Sequence, residues 1–157
     1  WDSPIFFIFD PPSKTPRICC MSYRHKIGCS LQNLKGIRDF VRKSLRTHVS
    51  SDVVLNEIIL ALDEMCSNLM IHSHQCNPDH YLEISIDIPK KGQLVFEITD
   101  DGEMFDINQF SEPALDNLVH EKRKGGLGIR LVKSIMDDVK YYSRNGRFVC
   151  QLTKQLS

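Results

Sequence analysis

The order of the hydrophobic patterns predicts an α+β fold: a two-layer α/β sandwich with helices on one face of a mixed or antiparallel sheet. Three observations carry this. Two adjoining segments, 30–45 and 50–73, have apolar residues at helical spacing. Two alternating runs, 81–88 and 93–100, are joined by Pro-Lys-Lys-Gly and read as a β-hairpin. A third helical segment follows a long polar stretch, and a second strand pair then closes across Arg144-Asn145-Gly146. Strands and helices do not alternate regularly, so a doubly wound parallel sheet is not expected.

Taken in order, residues 1–20 are rich in Pro and lack any period, so 1–22 read as an irregular leader; residues 23–157 read as one domain. The apolar run Ile5 to Phe9 has no basic segment before it, which argues against a signal peptide. His25 to Ser30 reads as a short strand, and Ser30 is a plausible N-cap for a helix with Leu31, Leu34, Ile37, Phe40, Val41 and Leu45 on its apolar side. The next helix starts in the cap-rich Ser50-Ser51-Asp52 cluster, with a core stripe of Leu55, Ile59, Leu62, Cys66 and Leu69, widened by Ile58, Met65 and Met70. Residues 103–124 form a long polar loop, a length that in a compact domain is usually functional or disordered. Gly-Gly-Leu-Gly then opens a helix running through 129–139, with Ile129, Leu131, Val132 and Ile135 facing inward.

The bulk properties narrow the function. A chain of 157 residues suits a single sizeable core. Twenty Lys plus Arg balance twenty Asp plus Glu, so nothing in the charge favours nucleic acid or an anionic membrane surface. No apolar run approaches the roughly 20 residues of a membrane span. The six cysteines have irregular spacings and no CxxC pair, which fits reduced thiols in a cytoplasmic protein.

Three short features carry chemistry. Glu57, Ala61, Glu64, Asn68 and His72 recur at three- and four-residue steps and share a helix face. A carboxylate and a carboxamide one turn apart suit metal-assisted chemistry: the amide oxygen binds a hard cation such as Mg²⁺, and the carboxylate accepts a proton. Taken alone, this stripe is more often a solvated helix face. Asp100-Asp101-Gly102 at a strand end can aim a carboxylate at a ligand amine while the glycine lets the backbone approach; its bland alternative is an ordinary turn. Lys124-Gly125-Gly126-Leu127-Gly128 at a loop-to-helix junction leaves backbone N–H groups at the positive end of a helix, a ready phosphate site. Its bland alternative is a flexible linker. His72, His74, Cys76 and His80 raise a fourth possibility, a zinc site.

The three features together, in this order, resemble the GHKL (Bergerat-fold) ATPases, and within them the RsbW/SpoIIAB-type anti-sigma serine kinases. LDEMCSNLMIHS looks like the helical N box, FEITDDGEMFD like the D-x-G box, and GGLGIRLVKSIMDDVKY like the second glycine box. The resemblance covers about residues 24–155 and implies the histidine-kinase-like ATPase fold. It implies that Glu64 is the general base for a substrate serine and that Asn68 binds the Mg²⁺ bridging the ATP phosphates. It implies that Asp100 meets the adenine amino group with Gly102 beside it, and that the glycine segment Gly125, Gly126, Leu127 and Gly128 meets the phosphates. The 103–124 loop would be an ATP lid, from which Lys122 or Arg123 reaches the γ-phosphate. Glu103-Met104, Ile107 and Arg147 depart from residues frequent in relatives.

The implied function is a cytoplasmic, dimeric anti-sigma factor that sequesters a sigma factor. It would phosphorylate an anti-anti-sigma protein of STAS type on serine, using ATP and Mg²⁺. The alternative is a non-catalytic nucleotide-binding module for partner switching. Retention of both Glu64 and Asn68 favours the enzyme.

Overall fold

The computed structural model describes residues 21–74, 76–101 and 125–157. They form strand β1 (Met21–Gly28), a 3-10 turn (Leu31–Asn33), helices α1 (Leu34–Leu45) and α2 (Asp52–His74), the hairpin β2 (Tyr81–Lys90) and β3 (Gln93–Asp100), helix α3 (Gly125–Ile135), and the hairpin β4 (Asp138–Arg144) and β5 (Arg147–Gln155). The predicted lid, with Gly102, Lys122 and Arg123, lies outside the described residues, as do residues 1–20.

The five strands run in the order β1-β2-β3-β5-β4, and every neighbouring pair is antiparallel. The sheet is therefore not mixed. The physical reason is the place of β5. Joining β3 directly to β4 through a helix would make a parallel crossover, but β5 folds back and inserts between them.

Turn chemistry sets both hairpins. Asn145 and Gly146 have φ of 54° and 76°, the paired positive values of a tight two-residue turn. Between β2 and β3 the turn falls at Lys91 and Gly92, with φ of 83° at the glycine; beside it the register shifts between Asp87 and Lys90, around Pro89.

One sheet face carries Leu82, Ile84, Ile86 and Ile88 of β2, Leu94, Phe96 and Ile98 of β3, and Cys150 and Leu152 of β5. These pack with the buried residues of the helices, including the whole predicted α2 stripe, into one core. Ser51 caps α2: its carbonyl accepts the Leu55 N–H and its hydroxyl accepts the Val54 N–H.

Three boundaries differ from the sequence pattern. β1 begins at Met21, pairing it with Ile88, so Met21 and Ser22 belong to the sheet and not to a leader. Residues 31–33 form a 3-10 turn rather than the first α turn, which leaves Leu31 exposed; Ser30 makes no side-chain cap. α3 ends at Ile135, because the Asp137 N–H bonds the Thr153 carbonyl at 2.9 Å and its carboxylate accepts the Gln155 N–H at 2.6 Å. Lys154 Nζ then bonds the Ile135 carbonyl at the helix end.

Candidate functional site

The structure brings α2 and the first turn of α3 together at Glu64, Asn68 and Gly128, and places Asp100 at the end of β3. α2 supplies Glu64 and Asn68, four residues apart and therefore on one face, both half-buried. Its core stripe fixes the rotation of the helix, and Ala61, placed by the sequence on the polar stripe, is fully buried at the edge of that core. Asp63, one residue before Glu64, accepts a 2.7 Å bond from Arg38, which ties α2 to α1 beside the site.

α3 closes the other side through Gly128. A Cβ added there would lie 2.5 Å from Glu64 Oε2 and 3.6 Å from Asn68 Nδ2. Any side chain at 128 would therefore push the Glu64 carboxylate aside. What the glycine provides is room for the Glu64 carboxylate, the flexible end of a side chain, and not a backbone angle. Gly125, Gly126 and Leu127 occupy the first helical turn, whose N–H groups have no partner within the helix. Asn68 Nδ2 is buried and has no hydrogen-bond partner among the described residues. An amide donor left so, facing a glycine, has room for an acceptor that the described residues do not provide.

Asp100 is wholly buried at the last position of β3, paired with Leu82. Asp101 continues the chain with its N–H on the Tyr81 carbonyl at 3.3 Å, and His80 Nδ1 stands 3.4 Å from Asp101 Oδ1. Nothing in the sequence pattern marks this His80–Asp101 contact, because the pairing depends on the register of β2 against β3. Beneath it, Cys29 is buried and bonds the His80 carbonyl through its N–H. Burial, with Asp100 and Asp101 nearby, pushes the Cys29 thiol up to about 12, so it stays protonated at neutral pH.

Of the His/Cys stretch that raised zinc, Cys76 takes a positive φ of 58° at the exit of α2 and His80 faces Asp101, while the side chains of His72 and His74 lie outside the described part. Among the described residues no group of three or more His, Cys, Asp or Glu is placed to hold a metal ion, and no helix is long and apolar enough to cross a membrane.

Residues 29–154 match the family described as the histidine kinase-like ATPase domain. The chain belongs to that family. Among curated relatives, it is 28% identical over 108 residues to the serine-protein kinase RsbW of Bacillus velezensis, covering 66% of each chain. It is 30% identical over 106 residues to the anti-sigma F factor of Bacillus cytotoxicus, covering 66% of this chain and 70% of the relative.

Two solved structures share the fold. One contains the RsbU and RsbW domains of a Mycobacterium tuberculosis protein (TM-score 0.59, 12% identity, 86% of this chain and 32% of the other). The other is the SiaB–SiaC complex of Pseudomonas aeruginosa (TM-score 0.53, 16% identity, 83% of this chain and 88% of the other).

Proposed function

We propose that the chain is an ATP-dependent serine kinase that sequesters a sigma factor and phosphorylates an anti-anti-sigma protein of STAS type. The observation that carries this is the apposition of Glu64 and Asn68 with Gly128. A module that only binds a partner has no need of an acid and a carboxamide facing a glycine turn. The names of relatives support the same reading: several are serine-protein kinases, and others are anti-sigma factors.

The residues fit ATP and Mg²⁺. Asn68 would hold the cation through its amide oxygen and offer its unpartnered Nδ2 to a phosphate oxygen. Bound Mg²⁺ would supply charge neutralisation for the transferred phosphoryl group. Glu64 would accept the proton of the acceptor serine hydroxyl. Asp100 would accept a hydrogen bond from the adenine amino group, and Gly128 would leave room for the phosphates. Gly102, Lys122 and Arg123, beyond the described residues, would complete the adenine and γ-phosphate contacts. As in the partner-switching scheme implied by the sequence resemblance, the chain would act as a homodimer in the cytoplasm.

The test is incubation with γ-labelled ATP, Mg²⁺ and purified STAS-domain proteins bearing a candidate serine. Transfer to one of them, lost in Glu64→Ala, is the expected result. Tight nucleotide binding without transfer to any STAS protein would instead identify a non-catalytic partner-switching module.

A further inference from the structure

Large apolar side chains stand exposed at three described positions, Leu31, Val53 and Leu60. Leu31 is explained by the 3-10 turn. The other two lie on α2, and their positions are not random with respect to Glu64. Val53, Glu57, Leu60 and Glu64 follow at steps of four, three and four, so all share one helix stripe. Leu60 is one turn, about 6 Å, from Glu64 along the axis, and Val53 is about 16 Å away. On the far side of Glu64 the stripe continues to Asn68, and Gly128 walls the flank. Among the described residues the N-terminal part of the stripe is therefore an open approach to Glu64, and it is the part with exposed apolar residues: Leu60 is 43% and Val53 67% exposed.

Isolated surface hydrophobics need no explanation. Two of them aligned with a candidate general base are different when the acceptor is itself a protein. A serine hydroxyl within hydrogen-bond reach of Glu64 brings several neighbouring residues of its own protein onto the adjoining surface. α1 borders the strip with positive charge. Arg42 is exposed and bonds Asn56 Oδ1 at 3.2 Å, beside Leu60 and Val53. Among the described residues the Arg42 guanidinium bonds only this neutral amide, whereas Arg38 is neutralised by Asp63.

Resting on the proposed kinase function, we propose that the Val53–Leu60 strip of α2 is the docking surface for the serine-bearing STAS protein. It takes an apolar patch of that partner, with a carboxylate set against Arg42. This makes Leu60 and Val53 specificity residues. They touch neither nucleotide nor the reacting atoms, and they present the acceptor to Glu64.

The test uses the whole chain with Leu60→Glu and Val53→Glu, and Arg147→Ala as a remote surface control. Purified STAS-domain proteins serve as the probe. Binding with MgADP, the KM and kcat of transfer, and MgATP affinity are measured separately. Both side chains are exposed, so the variants are expected to keep wild-type circular dichroism and melting; Leu60→Ala provides a milder second variant.

The expected result is a partner Kd and KM raised about tenfold or more by Leu60→Glu. The effect of Val53→Glu should be smaller, with kcat at saturation and MgATP affinity held within about twofold. Unchanged Kd and KM in both Glu variants would overturn the docking surface while leaving the kinase intact. A STAS protein that binds without being phosphorylated, and whose binding Leu60→Glu weakens, would support the surface and overturn the kinase. Absence of any STAS binding by the wild type would overturn the proposed occupant.

Discussion

The two faces of the sheet treat buried polarity in opposite ways. On the face away from the helices, Glu97 of β3 is saturated. Arg144 donates to both of its oxygens at 2.8 and 2.9 Å, Tyr142 donates at 2.5 Å, and Gln151 donates at 3.1 Å. Burial alone pushes the Glu97 carboxyl up, but the bonds from Arg144, Tyr142 and Gln151 outweigh it and hold the group below its usual value. Burial and the same carboxylate push the Tyr142 hydroxyl up to about 12. On the helix side, Asn68 leaves a buried amide donor with no partner among the described residues. The first arrangement serves the fold, and its parts satisfy one another. The second is left open among the described residues, the arrangement expected where a ligand completes the set.

Substitutions can break this contrast, and their expected effects fall in a clear order. Glu64→Gln should reduce phosphotransfer by about 10²–10⁴, the usual worth of a general base, with MgATP affinity nearly unchanged by calorimetry. Asp100→Ala should weaken nucleotide affinity by roughly 10- to 100-fold through loss of a buried, charge-assisted hydrogen bond. An unchanged affinity would remove Asp100 from the site.

Gly128→Ala should act in between. The added methyl meets the mobile end of Glu64, not backbone, so the domain should fold and melt within a few degrees of wild type while transfer drops by about tenfold or more. A collapse in melting temperature would instead make the α2–α3 contact a structural one.

On the saturated face the smallest effect is expected, and on stability alone. Glu97→Gln should cost about 1–2 kcal/mol, or about 2–8 °C in a domain of this size, with no change in nucleotide affinity. Its pH dependence follows from the lowered carboxyl. Glu97 contributes stability above its ordinary value of 4.5 and loses it as pH falls through the lower folded value. The gap between wild type and Glu97→Gln should be full at pH 7 and close in strong acid. A gap independent of pH would show that shape, not charge, is what Glu97 supplies.

Much of the architecture was legible because local rules fix it. Helical spacing marked the α2 core, and Asn145-Gly146 marked the β4–β5 turn through its need for positive φ. What stayed hidden depends on contacts between distant segments. No local signal places β5 between β3 and β4, so the sheet proved antiparallel where a mixed one was allowed. The pairing of Met21 with Ile88 is equally non-local, and it moved the start of the domain. In the site, Glu64 and Asn68 were legible as neighbours on one helix. Their apposition to Gly128, far along the chain, was implied only by the family resemblance and became a contact in the fold. The Arg38–Asp63 and His80–Asp101 pairs had no signal at all, since each joins elements whose register the sequence does not state.

The most direct measurement of whether Asn68 is held for a ligand at the expense of the fold is the melting temperature of Asn68→Leu, with and without MgATP. Without nucleotide the variant should melt at or above wild type, because an unpartnered buried amide, worth about 1–3 kcal/mol of desolvation, has been removed. The rise produced by saturating MgATP, about 2.7 kcal/mol at a hundred times Kd, should be lost. A variant that melts several degrees lower without nucleotide, or keeps the full MgATP-induced rise, would contradict the account and make Asn68 a structural residue like Glu97.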